Sequence, residues 1–148
     1  MNLDLNIMLP LASQWVESKE KTILEHGQPL SNELQVFASN IGIKHPERVR
    51  ILVVDKIPLP EHPMLQQACK ETDFLSNNTI GLTLSYGIFL RKDYVSELRI
   101  YKHELGHVLQ YEQLGGIRQF LEKYLREIMT YGYSNMPMEQ DARNKENL

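Results

Sequence analysis

Cysteine is almost missing from this chain. Cys69 stands alone among 148 residues, so no disulfide can form within it, and the cytoplasm, a reducing compartment, is the expected location. An excess of charge of one sign is missing too. Sixteen Lys and Arg face 19 Asp and Glu for a formal charge of −3, and the basic residues are scattered, so no nucleic-acid partner is expected. No apolar run reaches the length of a membrane span, which argues against a membrane partner. The N-terminal stretch MNLDLNIMLPLASQWVESKEK has neither the basic start nor the sustained apolar centre of a secretory signal. No Gly-, Ser- or Pro-rich linker divides the chain, and 42% hydrophobic residues suffice for the core of one domain over 1–148, with a polar tail at about 143–148. Oligomeric state is not legible.

The elements that are present alternate between helical and strand-like spacing. Leu11, Trp15, Val16, Ile23 and Leu24 predict a helix from about Pro10 to Glu25, stopped at His26-Gly27. Ser31 caps a second helix that ends between Asn40 and Gly42. Arg48–Val54 is β-branched and runs into a loop stiffened by Pro58, Pro60 and Pro63, before a short helix at about Met64–Lys70. Thr79–Leu90 alternates apolar and small polar residues, the pattern of a strand with one buried face, and Gly87 marks a bend or hairpin turn within it. Asp93 as N-cap and Gly115-Gly116 as stop bound a helix over about Tyr94–Leu114. A further helix follows from Ile117 to Tyr131. Ser134 or Asn135 then caps a last one, with Pro137 in its first turn.

The Tyr94–Leu114 helix carries the chemistry. His103-Glu104-Leu105-Gly106-His107 places two imidazoles one turn apart, so both rings can reach a single ion about 2.0–2.1 Å from each nitrogen. Glu104 lies about 100° round the helix from His103, where it reaches a metal-bound water without ligating the metal. Leu98, Tyr101, Leu105, Val108 and Leu109 form an apolar back, and His103, His107 and Gln110 a polar front. A catalytic zinc has three protein ligands and a water, yet no histidine follows His107. The third ligand is therefore expected to be a carboxylate. Glu112 and Glu122 point to solvent, and Glu146 belongs to the polar tail. Glu139, one turn into a freshly capped helix, is favoured, with Glu127 as the alternative. His26, His45 and His62 have no partner at ligand spacing, and Cys69 is given no role.

Together, His103-Glu104-Leu105-Gly106-His107 and Tyr133-Ser134-Asn135-Met136-Pro137-Met138-Glu139-Gln140-Asp141-Ala142 resemble the gluzincin type of zinc metallopeptidase in a compact form, over about Thr79 to Ala142. Metzincins are excluded by Gln110 and Gln113, which stand where that pattern has Gly and His. The resemblance implies a zincin-like α+β fold, a small, largely antiparallel sheet packed on the metal helix, with the Thr79–Leu90 strand at its edge receiving an extended substrate. It implies Zn2+ held by His103, His107 and Glu139, Glu104 as general base, and a peptide or protein substrate. Tyr133, ahead of Tyr131, is the candidate oxyanion donor. Larger gluzincins often carry an Asp four residues after the Glu ligand to support the first His. Here that position is Arg143, which leaves Asp141 and Asn135 as candidates for the support. Two other readings use the same residues: a protease dedicated to one protein partner, and a zinc-binding interaction protein that is latent or non-catalytic.

Overall fold

The first helix starts earlier than its apolar spacing predicts. The computed structural model describes residues 4–148, and in it α1 (Leu5–His26) begins at an Asp4 cap, whose carboxylate accepts from the Asn6 amide at 2.9 Å. Pro10 is thus inside the helix, where it has no N–H for the Asn6 carbonyl. Burial of Met8 and Leu9 offsets that loss. Gly27 ends the helix, as expected.

A two-residue strand, β1 (Gln28–Pro29), precedes α2 (Asn32–Ile41), which is capped by Ser31 and closed by Gly42 in the left-handed region. Next, β2 (Arg50–Val54) starts two residues late because Pro46–Arg48 form a 3-10 turn. In α3 (Pro63–Thr72), His62 has a structural use after all: its Nδ1 accepts from the Met64 amide at 3.1 Å.

The segment Thr79–Leu90 is divided by a hairpin turn, one of the two readings of Gly87, but the turn comes earlier. β3 (Gly81–Leu84) and β4 (Gly87–Arg91) form a hairpin whose turn is Ser85-Tyr86, with Ser85 at φ 62°. Gly87 lies just past the turn and serves packing instead, since a Cβ there would stand 2.9 Å from that of Ile23 on α1. The expected alternation of burial is also lost, because both faces of the sheet are covered. Leu82, Leu84 and Phe89 meet Ile23 of α1 on one side, while Ile88 and Leu90 join Ile51, Leu105 and Val108 on the other.

The strand order is β1-β2-β4-β3. The expected largely antiparallel sheet is in fact mixed: its outer pairings are antiparallel, but β2 and β4 run parallel. After β2 the chain travels through α3 and re-enters at the sheet's far edge, so the hairpin lays β4 beside β2 in the same direction. The remaining helices are α4 (Leu98–Leu114), α5 (Ile117–Tyr131) and α6 (Pro137–Lys145). The result is an α+β fold in which α1 and α5 close one core and α2 and α4 the other. Among the described residues no helix is long and apolar enough to cross a membrane.

Candidate metal centre

α4 is shorter at its start than the sequence predicts. Asp93 does not cap it but pairs with Arg91 at 2.8 Å in a 3-10 turn, Lys92–Tyr94. Nor is the helix simply amphipathic. Glu104 through Tyr111 are all buried, whereas Leu98, expected on the apolar back, is exposed. α4 is buried on its polar side because α6 packs over it. Gly106 permits the approach: a Cβ at that position would lie 3.3 Å from the Ala142 Cα.

That approach brings Glu139 to the histidines. His103 Nε2 lies 3.0 Å from Glu139 Oε1, and His107 Nε2 lies 2.9 Å from Glu139 Oε2. The Tyr124 hydroxyl, from α5, donates to Glu139 Oε2 at 2.7 Å. Each imidazole is also held from behind. His103 Nδ1 donates to Glu146 Oε2 at 2.8 Å, and His107 Nδ1 donates to Gln110 Oε1 at 2.8 Å. Gln110 is kept in that orientation by donating its own amide to the Met138 carbonyl and to Asp141 Oδ2. Both rings therefore aim Nε2 at the same point.

These residues could hold a metal ion. One ligand atom from each of His103, His107 and Glu139 lies within 4.8 Å of the others. The direct His–Glu contacts of 3.0 and 2.9 Å are shorter than the about 3.3–3.4 Å between ligands of a tetrahedral ion at 2.0–2.1 Å, so metal entry requires the Glu139 carboxylate to move off the rings. The charges point the same way. Burial pushes His103 down, but hydrogen bonds to Glu139 and Glu146 and the charges of Glu104 and Glu139 outweigh it and lift the ring to about 9. His107 is raised against its burial, chiefly by Glu139. Burial would raise Glu139, yet the positive His107 and hydrogen bonds from both rings and Tyr124 hold it far below the usual carboxylate range. The surroundings of both rings thus favour positive charge at this point, and a cation bound there would take the place of protons.

Glu104 is buried beside the cluster, with Oε1 accepting from the Thr83 hydroxyl at 2.7 Å. Gly81 of β3 leaves the space: a Cβ there would stand 2.9 Å from Glu104 Oε2. Thr83 and Gly81 are among the small residues of the expected edge strand, and β3 is at the sheet's edge. Tyr133, in the 3-10 turn Tyr133–Asn135, joins His103, Glu104 and Glu139 in lining a groove of about 480 Å³. Burial, then the charges of Glu139 and Glu104, raise its hydroxyl above the ordinary tyrosine range. Tyr131 is exposed.

Several carboxylates have other roles than the sequence suggests. Glu127 accepts from the Met138 amide at 2.8 Å and anchors the start of α6, where Ser134 and Asn135 were expected to cap but Met136 is the N-cap. Glu112 is not solvated; it accepts from the Lys44 and His45 amides and from the Tyr86 hydroxyl at 2.6 Å. Glu122 is exposed beside Arg126, as expected. Glu146, assigned to a fraying tail, holds His103, and Asp141 reaches His107 through Gln110. Arg143 donates to the Ser134 carbonyl at 3.1 Å. Tyr124 is the site residue that sequence reasoning missed, placed with the apolar stripe of its helix. A tyrosine among core positions does carry a signal, since its hydroxyl needs a buried partner. Cys69 is free, and burial lifts its thiol to about 11.

Comparison with protein-family models, with curated proteins and with solved structures finds no match to this chain.

Proposed function

We propose that this chain is a zinc-dependent peptide hydrolase of gluzincin type, with His103, His107 and Glu139 as ligands and Glu104 as general base. The observation that carries the reading is the pair of oriented rings: both Nε2 atoms converge on Glu139, both Nδ1 atoms are committed elsewhere, and a buried carboxylate stands alongside. Zinc bound there supplies a Lewis acid for the carbonyl and brings a water's pKa to about 7.

The chain's own residues do the rest. Glu104 takes a proton from the attacking water at its carboxylate and passes it to the leaving amine. The Thr83 hydroxyl donates to Oε1 and so orients that carboxylate. Tyr133 keeps its proton at neutral pH, as a donor to the developing oxyanion must. The outer edge of β3 holds the substrate as an extended strand beside Gly81, since the Thr83 carbonyl already accepts from the Tyr111 hydroxyl. A structural zinc is disfavoured, because such sites have four protein ligands whereas this cluster offers three beside an open groove.

The test is zinc content and cleavage of a diverse peptide library for the wild type and Glu104→Gln. The expected result is one zinc in both and a loss of about 10²- to 10⁴-fold in cleavage for the variant, the usual contribution of a general base. A zinc-loaded wild type that cleaves no peptide refutes the reading.

A further inference from the structure

Beneath the cluster the protein holds a second space, of about 120 Å³, and its chemistry is opposite to that of the groove. Its depths are walled by Met8 and Trp15 of α1, Leu65 of α3, and Phe120, Leu121 and Leu125 of α5. Among the described residues, the only carboxylates and imidazoles that reach it are His103, Glu104, His107 and Glu139, all at the cluster. Groove and cavity both include Gly81, His103, Glu104, Tyr133 and Glu139 in their walls, so the two spaces meet at the candidate reaction centre. Gly81 has no side chain to close the passage.

We infer that this cavity is a specificity pocket, one that takes an apolar side chain of leucine, methionine or phenylalanine size from the residue next to the bond held at the cluster. The inference rests on the hydrolytic reading for its substrate, but the pocket can be tested without catalysis. Size sets the class: an engineered apolar cavity of about 150 Å³ stays dry and takes a benzene molecule, so a space of about 120 Å³ matches an isobutyl, thioether or phenyl group. Charge sets it too, because an ammonium or carboxylate in the depths would have no partner. Glycine or alanine would leave the space empty and forgo the gain from burying apolar surface. A peptide extended along the edge of β3 turns alternate side chains toward opposite sides, and one of them faces this opening.

The experiment measures binding of L-phenylalanine hydroxamate and glycine hydroxamate, two zinc-chelating probes that differ only in the side chain, to the zinc-loaded protein. The expected result is at least about tenfold tighter binding of the phenylalanine compound. Ala68→Leu and Ala12→Leu, which fill the cavity from α3 and α1, narrow that ratio while zinc is retained. Leu125→Ala, which enlarges it, shifts preference towards a naphthyl side chain. Equal affinity of the wild type for the two probes, or a ratio untouched by both filling variants, overturns the pocket. A zinc-loaded protein that prefers the phenylalanine probe but cleaves no peptide upholds the pocket and removes only the hydrolytic reading.

Discussion

Glu146 supports the first histidine from a position the resemblance did not indicate. It stands seven residues after Glu139, at the C-cap of α6, and its other oxygen lies 3.7 Å from Arg99. Partners that orient a metal-binding imidazole are worth about 10- to 100-fold in metal affinity. Glu146→Gln is therefore expected to weaken zinc binding by that factor in competition with a fluorescent chelator, while exposed Glu122→Gln leaves it unchanged. Equal affinities for the wild type and Glu146→Gln would deny Glu146 the role. Tyr124→Phe tests the other side of the cluster. It removes the hydroxyl that donates to Glu139, and lower zinc affinity is expected with the fold retained. The histidines and Glu104 were legible as a local repeat, and Glu139 as a carboxylate near a helix start. Glu146 and Tyr124 were misjudged because their partners come from other elements, where helical spacing says nothing about what packs.

At the scale of elements, the same contrast separates what local signals specify from what neighbours supply. Ser31, Gly42, Gly115 and Pro137 mark helix ends by their own chemistry, and the structure uses all four. The hairpin turn was displaced because Ser85 accepts a left-handed conformation that glycine adopts more readily. The parallel pairing of β2 with β4 depends on where a long connection re-enters the sheet. The start of α6 likewise depends on α5, through Glu127 and the Met138 amide. Glu127→Ala is expected to cost about 1–3 kcal/mol in denaturant unfolding, the penalty for an unsatisfied buried donor, and to speed hydrogen exchange over 137–145. Unchanged stability and exchange would rule out this anchoring role.

For the whole molecule, the proposed metal and the proton would compete for the same nitrogen. With no metal bound, burial pushes His103 down, but the hydrogen bonds to Glu139 and Glu146 and the charges of Glu104 and Glu139 outweigh it and lift the ring from an ordinary 6.5 to about 9. Its contribution to stability is then complete below about pH 6.5 and is lost as pH rises through about 9. Zinc requires the neutral ring, so its affinity rises over the same interval, by up to about tenfold per pH unit for each proton displaced. Thermal unfolding followed from pH 6.5 to 9 should show a falling midpoint with a chelator present and a growing stabilisation by zinc. A zinc affinity independent of pH across that interval would contradict the protonated, carboxylate-bridged cluster.

The two rings that face Glu139 differ in what stands behind them. His103 has a carboxylate at its back and a side chain 13% exposed to the groove, while His107 has a neutral amide and is 7% exposed. The cluster consequently has a seam. Acid reaches His103, the ring more open to the groove, first, so on the proposed metal reading the ion should loosen on that side while still tethered through His107. Loss of metal in mild acid is then ordered, and a half-released intermediate bound to one imidazole is the species to look for as the cobalt-substituted protein is acidified.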